Sequence, residues 1–329
     1  MAPTVRVPAE ELPPDTVGAI PTGRLSQSLW RRRWVILWAM GVVAFIALVG
    51  LPTSRPQIFG VVALGLVASS VGTERRSRQV LFDFVPFFVI LIAYDALHGA
   101  AQHWSLPHAV PQIKVDAWLF GGTVPTVRLQ HAFYTPGVAH VWDYMAFGVY
   151  MTHFFLPYVA AGLLWKYDHA AFRRWVVLFV GLSFAAFITY ALYPAVPPWL
   201  ASQGAHLPPT AKIIDEMWAH VGFANGAQVF SATGHFANPV AAVPSLHEGY
   251  ALLFTLFFWK RAGRWRPLLA LYPFAMALTL VYTGEHYVID IILGCLYATT
   301  VYVVGSKLLD RWDERRVWFR RTTAEPIPT

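Results

Sequence analysis

Residues 283–305 read TGEHYVIDIILGCLYATTVYVVG, and this stretch decides the class of fold. Its last 19 residues, 287–305, contain one charged side chain, Asp290, and are otherwise apolar or uncharged. A helix needs about 20 mostly apolar residues to cross the hydrocarbon core of a bilayer. Residues 287–305 therefore predict a membrane-spanning helix with a polar first turn.

The rest of the chain has the same character. Of its 329 residues, 56% are hydrophobic and 13% are charged, and the mean hydropathy is +0.47. Soluble domains average about 25% charged residues, so this composition excludes a soluble globular enzyme and indicates an all-α integral membrane protein. We predict eight spans: 34–51, 58–71, 80–97, 144–165, 175–193, 244–259, 267–282 and 287–305. The second and the sixth are short, so seven spans, or a re-entrant element, remain alternatives.

Lysine and arginine are distributed unevenly between the loops that join these spans. One side of the membrane receives 21 of the 25 basic residues, and the other side receives Arg55, Lys114, Arg128 and Lys212. Basic loops face the cytoplasm in membrane proteins. We therefore expect both termini to be cytoplasmic and the side with four basic residues to be the outer face. The pI of about 9.6 then reflects orientation in the bilayer, and nucleic acid is not an expected partner.

The histidines gather on the outer side, which holds ten of the twelve. His247 begins the sixth span there. The chain then descends, turns at residues 260–266 and returns, which delivers His286 to the same face 39 residues later. Histidine can act as a nucleophile and transfer protons near neutral pH. We expect the two side chains to lie at the same depth in one site.

Asp290 follows His286 by four residues, which places both side chains on one helix face. A carboxylate in this position would fix the tautomer of the imidazole and stabilise its charged form. An ionisable residue one turn inside a membrane helix is a candidate functional residue. The alternative for this pair is a polar contact between packed helices. For Ser245 the alternative to a role in the site is an N-cap of the sixth span.

These residues resemble two motifs of the type-2 phosphatidic acid phosphatase superfamily. The second motif has Ser and His at a helix start, as in residues 242–249, AVPSLHEG. The third has His-Tyr and an Asp four residues after the His, as in residues 283–294. The chain is more closely similar to the inositol phosphorylceramide synthase-like branch, over about residues 80–305. That similarity extends to YDAL at 94–97, LFGGTVPT at 119–126, the span around His153, and YPAVPPW at 193–199.

The resemblance implies a fold and a chemistry. A six-helix catalytic core of the phosphatidic acid phosphatase type would lie among about eight transmembrane helices. His286 would attack phosphorus, and Asp290 would orient it. His247 would protonate the leaving group and later activate the acceptor, while Ser245 would hydrogen-bond the phosphate oxygens. Side chains fill all these roles, so neither a metal nor another cofactor is expected.

The predicted spans and the resemblance together divide the chain into four parts. Residues 1–30 are rich in proline and polar side chains and predict a disordered cytoplasmic tail. Residues 31–79 predict two additional transmembrane helices. The catalytic membrane domain is expected at 80–306, and a basic cytoplasmic tail at 307–329. The single Cys295 excludes an intramolecular disulfide.

The chain departs from the phosphatase pattern in its basic residues. Phosphatase members carry a Lys/Arg-rich first motif and an arginine six residues before the nucleophile, where this chain has Leu280. The charge that develops on phosphorus must still be neutralised. Arg128 and Lys114 are the candidates, with solvated loop charges as the alternative. Three further polar residues are candidates for the outer pocket, with helix packing as the alternative: Asp95, His98 and His153.

Two carboxylates flank the catalytic candidates in sequence. Glu248 follows His247, and Glu285 precedes His286. A negative charge beside a phosphate is unfavourable. The sequence leaves open whether these side chains point away or bind a cation or the hydroxyls of a polyol acceptor.

The leading hypothesis is a multi-pass enzyme of the cell membrane that transfers an inositol-phosphate-like head group between lipid or alcohol acceptors. The transfer would pass through a phosphohistidine at the outer face. Its expected partners are the bilayer and a phospholipid or polyprenyl-phosphate substrate, of which an inositol lipid is one candidate. The first alternative is a lipid phosphate phosphatase acting on phosphatidate or polyprenyl phosphates. An alternative of another class is a proton-coupled transporter that uses the same histidines and aspartate as a relay.

Overall fold

The computed structural model describes residues 22–52, 55–70, 74–101, 104, 106–223 and 238–322. In this part of the chain the regular secondary structure is entirely helical, with three isolated β-bridges. The α-helices are α1 Thr22–Leu48, α2 Arg55–Ser70, α3 Glu74–Ala101, α4 Val110–Leu119, α5 Pro125–Phe133, α6 Val141–Tyr167, α7 His169–Leu192, α8 Pro198–Gln203, α9 Ile213–His220, α10 Leu246–Phe258, α11 Arg266–Tyr282 and α12 Val288–Thr322. A 3₁₀ turn, Gly263–Trp265, precedes α11.

Each of the eight predicted spans coincides with one of these helices. In the described part of the chain, four helical segments are both long and apolar enough to cross a membrane: Arg78–Ala101, Val141–Tyr167, His169–Leu192 and Val288–Arg315. The predicted short spans are short helices: α2 has 16 residues and α10 has 13. At 1.5 Å per residue, α10 is only about 20 Å long. The all-helical membrane fold is therefore confirmed, and eight complete crossings stay a prediction.

The two ends of the chain are more helical than the sequence suggests. Helix α1 begins at Thr22, so it includes residues 22–30 of the segment predicted as a tail. Residues 1–21 of that tail lie outside the described residues. At the other end, α12 continues through the basic segment to Thr322. Lysine, arginine and glutamate are good helix formers, which explains why this helix extends beyond its apolar part.

An aromatic core holds the bundle together. Trp175 of α7 is fully buried, and its indole N–H donates to the carbonyl of Pro157 in α6 at 3.0 Å. Its ring also contacts Phe257 of α10 edge-on at 5.2 Å between centroids. In contrast, Phe82 and Leu192 are 78% and 77% exposed on the outside of the bundle. A surface of exposed large apolar side chains is suited to lipid.

Ion pairs join the loops at the end of the bundle where α6 ends and α11 begins, called here the basic end. The Asp168 carboxylate accepts a hydrogen bond from the N–H of Ala171, which caps α7, and a second from Arg261 at 2.8 Å. Arg174 pairs with Asp310 and Asp313 of α12. These contacts fix α7 against α12 and against the turn before α11.

Short helices and extended segments cover the opposite end, called here the site end, where α10 begins and α11 ends. Helices α4, α5, α8 and α9 lie in the two long segments predicted as an outer cap, 98–138 and 194–243. Bridges join His108 to Ala195 and Ala195 to Ala241, so three extended segments run side by side. This ladder positions the residues immediately before α10.

Candidate active site

The turn between α11 and α12 carries His286. The N–H of Glu285 donates to the carbonyl of Leu280, and the N–H of Gly284 to that of Val281, which is the pattern of a Schellman C-cap. Gly284 has φ +80°, a left-handed conformation that favours glycine. A Cβ there would also lie 2.7 Å from the carbonyl oxygen of Ala211. The turn is therefore closed tightly, and His286 follows it directly.

Gln130 of α5 fixes the same turn from outside. Its Nε2 donates to the carbonyls of Ala211 and Tyr282, both at 2.9 Å, and its Oε1 accepts from the N–H of Ala211 at 2.8 Å. One buried amide thus ties the segment before α9 to the end of α11. A satisfied buried amide of this kind gives a rigid junction.

The imidazole of His286 is held by its Nδ1 atom and is 5% exposed as a residue. Nδ1 lies 3.0 Å from the carbonyl oxygen of Ala242 and 3.5 Å from Oδ2 of Asp290. A carbonyl can only accept, so Nδ1 carries the hydrogen and Nε2 has the free lone pair of the neutral ring. The predicted partner Asp290 is present, but the nearer acceptor is the carbonyl of Ala242.

Asp290 is fully buried and organises the start of α12. Its Oδ2 accepts from the N–H of Tyr287 at 2.9 Å, and its backbone carbonyl accepts from the N–H of Ser245 at 3.0 Å. The helix that carries the carboxylate is therefore bound to the start of α10. Asp290 thus contacts both histidine-bearing segments, and its role in catalysis stays a prediction.

His247 meets His286 as the topology predicts. Nδ1 of His247 lies 3.3 Å from Nε2 of His286. The ring of His247 stacks on Tyr150 of α6 at 4.8 Å and contacts the His153 ring at 3.9 Å between centroids. His153, predicted as a possible site residue, is thus part of the histidine cluster. Among the described residues, Nε2 of His247 is buried without a hydrogen-bond partner.

Ser245 caps α10, as its alternative interpretation suggests. Its hydroxyl oxygen accepts from the N–H of Glu248 at 3.3 Å, and the residue is fully buried. Gly294 of α12 packs directly against the Ser245 carbonyl, so α10 and α12 are in close contact at this point. A hydrogen bond from Ser245 to phosphate stays a prediction.

Asp116 of α4 is a residue that sequence reasoning missed. It is fully buried, and its two carboxylate oxygens accept from the N–H groups of Val288 at 2.8 Å and Ile289 at 3.0 Å. Burial raises the pKa of this carboxyl, and the two backbone hydrogen bonds oppose that rise. Asp116 thus supplies a cap for α12 from another helix. Gln112 and Asp116 are four residues apart, so they lie on one face of α4, and both are buried. This polar spacing is the feature of the sequence that could have indicated a buried role for Asp116.

The predicted phosphate-binding cations lie on exposed faces. Lys114 is exposed on α4, whose Asp116 faces the interior, and Arg128 is exposed on α5, where Thr126 and Gln130 face the interior. No described contact joins either cation to the histidines. Their assignment to phosphate binding stays a prediction.

Asp95 and His98 of α3, two further candidates for the outer pocket, are half-buried. The ring of His98 contacts that of Tyr190 at 5.3 Å, and the Tyr190 hydroxyl donates to the carbonyl of Pro244 at 2.7 Å. His98 therefore reaches the segment before α10 through Tyr190. A direct role of Asp95 or His98 in the pocket stays a prediction.

A different basic residue lies near His286. Lys212, just before α9, pairs with Asp215 at 3.0 Å, and its Nζ lies 4.9 Å from the centroid of the Trp199 ring. The N–H of Trp199 donates to the carbonyl of Gly284, and the carboxyl of Glu285 interacts electrostatically with Lys212 and His286. Lys212 is one of the four basic residues predicted on the outer side, but it is not among the predicted phosphate-binding residues.

Glu248 points away from the histidine pair towards α12. Its Oε1 accepts from Sγ of Cys295 at 3.6 Å. Among the described residues, no group of three or more His, Cys, Asp or Glu side chains is arranged to hold a metal ion.

The comparisons with known proteins identify the family of the chain. A family model described as the PAP2 superfamily matches residues 113–304, which is more than half of the chain. The chain therefore belongs to the PAP2 superfamily. The match includes both histidine segments, Asp116 and Lys212.

Several curated relatives narrow the class. A phosphoinositol dihydroceramide synthase of Bacteroides thetaiotaomicron is 26% identical over 276 residues, which cover 79% of this chain and 86% of that protein. An inositol phosphorylceramide synthase of Candida albicans is 23% identical over 241 residues, covering 69% of this chain and 48% of that protein. The catalytic subunit of the Schizosaccharomyces pombe inositol phosphorylceramide synthase is 20% identical over 300 residues, covering 89% and 69%.

No solved structure significantly matches the chain. The superfamily and the synthase relatives indicate a membrane enzyme that acts on lipid phosphate groups. The protein is therefore an enzyme, and these comparisons give no support to the transporter hypothesis.

Proposed function

We propose that this enzyme transfers an inositol-phosphate-like head group from a phospholipid to a lipid or alcohol hydroxyl. The observation that carries the proposal is the pairing of Nε2 of His286 with Nδ1 of His247 at 3.3 Å, while Nδ1 of His286 is bound on its other side. One ring is thus oriented for attack, and the other is in position to move a proton. The names of the relatives support the choice of head group.

In the first step, the lone pair on Nε2 of His286 attacks phosphorus. An N–P bond forms, and the bond from phosphorus to the diacylglycerol oxygen breaks. His247, starting as the protonated imidazolium, gives one proton to that oxygen and becomes neutral, so diacylglycerol leaves as a neutral alcohol. The Ala242 carbonyl and the Asp290 carboxylate stabilise the positive charge that His286 acquires, through its Nδ1–H.

In the second step, the acceptor hydroxyl attacks phosphorus. His247 takes the hydroxyl proton, the N–P bond breaks, and His286 returns to its neutral form. Dividing the substitution into two steps is the advantage of a covalent intermediate. With water as the acceptor, the same site would hydrolyse the donor, so a phosphatase is the second candidate.

The site end is proposed to face the outside of the cell membrane, with both termini in the cytoplasm. The distribution of basic residues supports this orientation, because 21 of 25 lie on the basic-end side of the predicted spans. The donor would then be drawn from the outer leaflet, and polyprenyl phosphates remain alternative substrates.

The proposal is tested with purified protein in detergent and an inositol phospholipid radiolabelled in its head group, with and without a long-chain alcohol acceptor. We expect label on a second lipid when the acceptor is present, and none with His286→Ala. Release of only water-soluble label would instead identify a hydrolase. Turnover of His286→Ala at the wild-type rate would refute the assigned nucleophile.

A further inference from the structure

We propose that Lys212, Trp199 and Glu285 form a head-group subsite beside His286, and that it takes a phosphorylated polyol. This inference rests on the proposed function, since it specifies the substrate class of the same site. In it, Lys212 faces the phosphate, Glu285 hydrogen-bonds a ring or chain hydroxyl, and Trp199 supports the apolar face of the polyol.

Glu285 is the central observation. The residue is 9% exposed, and its Oε1 is buried with no hydrogen-bond partner among the described residues. A buried carboxyl oxygen without a hydrogen-bond partner is unfavourable. A hydroxyl group of a bound ligand would satisfy it.

The position of Glu285 relates it to both catalytic histidines. It directly precedes His286 and interacts with it electrostatically. His286 in turn lies beside His247, with 3.3 Å between Nε2 of His286 and Nδ1 of His247. The carboxyl is therefore close enough to the histidine pair to contact the head group of a donor whose phosphorus lies at His286.

Lys212 supplies a positive charge on the same side. Its Nζ is bound by Asp215 and lies over the Trp199 ring, which leaves ammonium N–H groups for a phosphate oxygen. The side chain is 24% exposed, so a ligand can reach it. The negative charge at phosphorus requires a nearby cation. Lys114 and Arg128 are both exposed, and no described contact joins either of them to the histidines.

Trp199 is held in place rather than free on the surface. Its backbone N–H donates to the Gly284 carbonyl at 3.1 Å, so the start of α8 is anchored to the turn that carries Glu285, and the ring contacts Nζ of Lys212. An indole face beside a carboxyl and an ammonium group is suited to a cyclic polyol, which presents C–H groups on one side and hydroxyls at its edge.

The protonation of Glu285 fits this ligand. Burial raises the pKa of its carboxyl to about 7, and Lys212 and His286 oppose the rise. Near neutral pH the group is therefore partly protonated and can both donate to and accept from hydroxyls. The neutral form also avoids repulsion with the donor phosphate.

The first test measures binding without turnover. Thermal unfolding of purified protein is followed with inositol 1-phosphate or with inorganic phosphate, in the wild type and in His286→Ala. We expect the polyol phosphate to raise the unfolding midpoint more than phosphate does. Glu285→Gln should remove this difference, whereas Lys212→Gln should weaken the response to both ligands.

The second test measures selectivity during turnover. Glu285→Gln should lower kcat/KM for an inositol phospholipid by roughly 10-fold or more, the loss typical of one hydrogen bond to a charged or buried group. Hydrolysis of phosphatidate, which has no polyol head group, should change much less. Glu314→Gln and Lys307→Gln, which alter exposed residues near the basic end, serve as matched controls for Glu285→Gln and Lys212→Gln.

The outcomes distinguish a failure of the proposed subsite from a failure of the proposed function. Transfer by the wild type with an unchanged donor preference in Glu285→Gln would overturn the subsite and leave the proposed function standing. A polyol-dependent shift that Glu285→Gln removes, without any transfer, would support the subsite and contradict the function. If Glu285→Gln does not fold, Lys212→Gln decides: an unchanged response to both phosphates would overturn the proposal.

Discussion

Asp290 contributes to the site through three contacts that differ in their consequences. Its side chain lies 3.5 Å from Nδ1 of His286 and accepts from the N–H of Tyr287, and its carbonyl holds Ser245. Asp290→Asn preserves the size of the side chain and removes its charge. In the proposed mechanism, the imidazolium of His286 then loses its nearest negative charge, while the Ala242 carbonyl remains.

We expect Asp290→Asn to lower turnover by roughly 10²- to 10⁴-fold, less than His286→Ala does. The measurement is the transfer rate of purified protein, with membrane accumulation as the control for folding. A variant that accumulates normally and turns over at the wild-type rate would show that Ala242 alone orients His286.

Glu285 makes stability depend on pH in a definite direction. Its pKa is about 7 in the folded protein, against an ordinary value of 4.5. Between these values the folded protein binds more protons than the unfolded chain, so this group's contribution to stability is greatest at low pH and is lost as pH rises through 7. Glu285→Gln removes the effect.

The unfolding midpoint of Glu285→Gln in detergent should therefore rise relative to the wild type as pH increases from about 4.5 to 7. Glu314→Gln, an exposed glutamate on α12, is the matched control and should follow the wild type. An equal pH dependence in Glu285→Gln and the wild type would contradict the buried state of this carboxyl.

Side chains at helix ends could be predicted, whereas their partners in distant loops could not. His247, His286 and Asp290 follow from the alternation of spans and from four-residue spacing. The Ala242 carbonyl, the carboxyl of Asp116 and the ammonium group of Lys212 reach the site only through tertiary packing. Nothing in their own neighbourhoods in the sequence specifies which of them approaches His286.

The crossing of α10 and α12 sets the distance between the two histidines. A Cβ on Gly294 would overlap the carbonyl oxygen of Ser245. Because this neighbour is a backbone atom, it cannot rotate away. Gly305, on the same helix, would bring its Cβ within 2.6 Å of Cδ2 of Leu178, which is the end of a flexible side chain.

Gly294→Ala should therefore push α10 away from α12 and reduce transfer by roughly 10-fold or more, with a lower unfolding midpoint, since overpacking costs about 1–3 kcal/mol. Gly305→Ala is the matched control, and its activity should stay near the wild-type level because Leu178 can rotate. Equal activity of the two variants would show that this crossing does not position His247.

Long apolar helices were predictable from composition, and short helices were not. Eight apolar segments correspond to eight helices because each buries its backbone polar groups within itself. Helices α8 and α9 have only six and eight residues, and their sequences contain no long apolar pattern. They are stabilised by contacts such as that of Trp199 with Gly284, which become available only once the bundle has formed.

The orientation of the whole molecule can be tested independently of its chemistry. With Cys295→Ser as background, Arg128→Cys and Lys260→Cys place single thiols at exposed positions near opposite ends. In intact cells a membrane-impermeant maleimide should label position 128, and position 260 only after permeabilisation. The reverse pattern would place the histidines on the cytoplasmic side, against the distribution of basic residues.

The proposed covalent intermediate on His286 can be located by mass spectrometry. Purified protein is mixed with an inositol phospholipid in the absence of acceptor, stopped in alkali to preserve the N–P bond, digested and analysed by mass spectrometry. We predict an inositol-phosphate adduct on the peptide that contains His286, and no adduct in His286→Ala. An adduct on His247, or transfer without an adduct on His286, would contradict the central claim that His286 is the nucleophile.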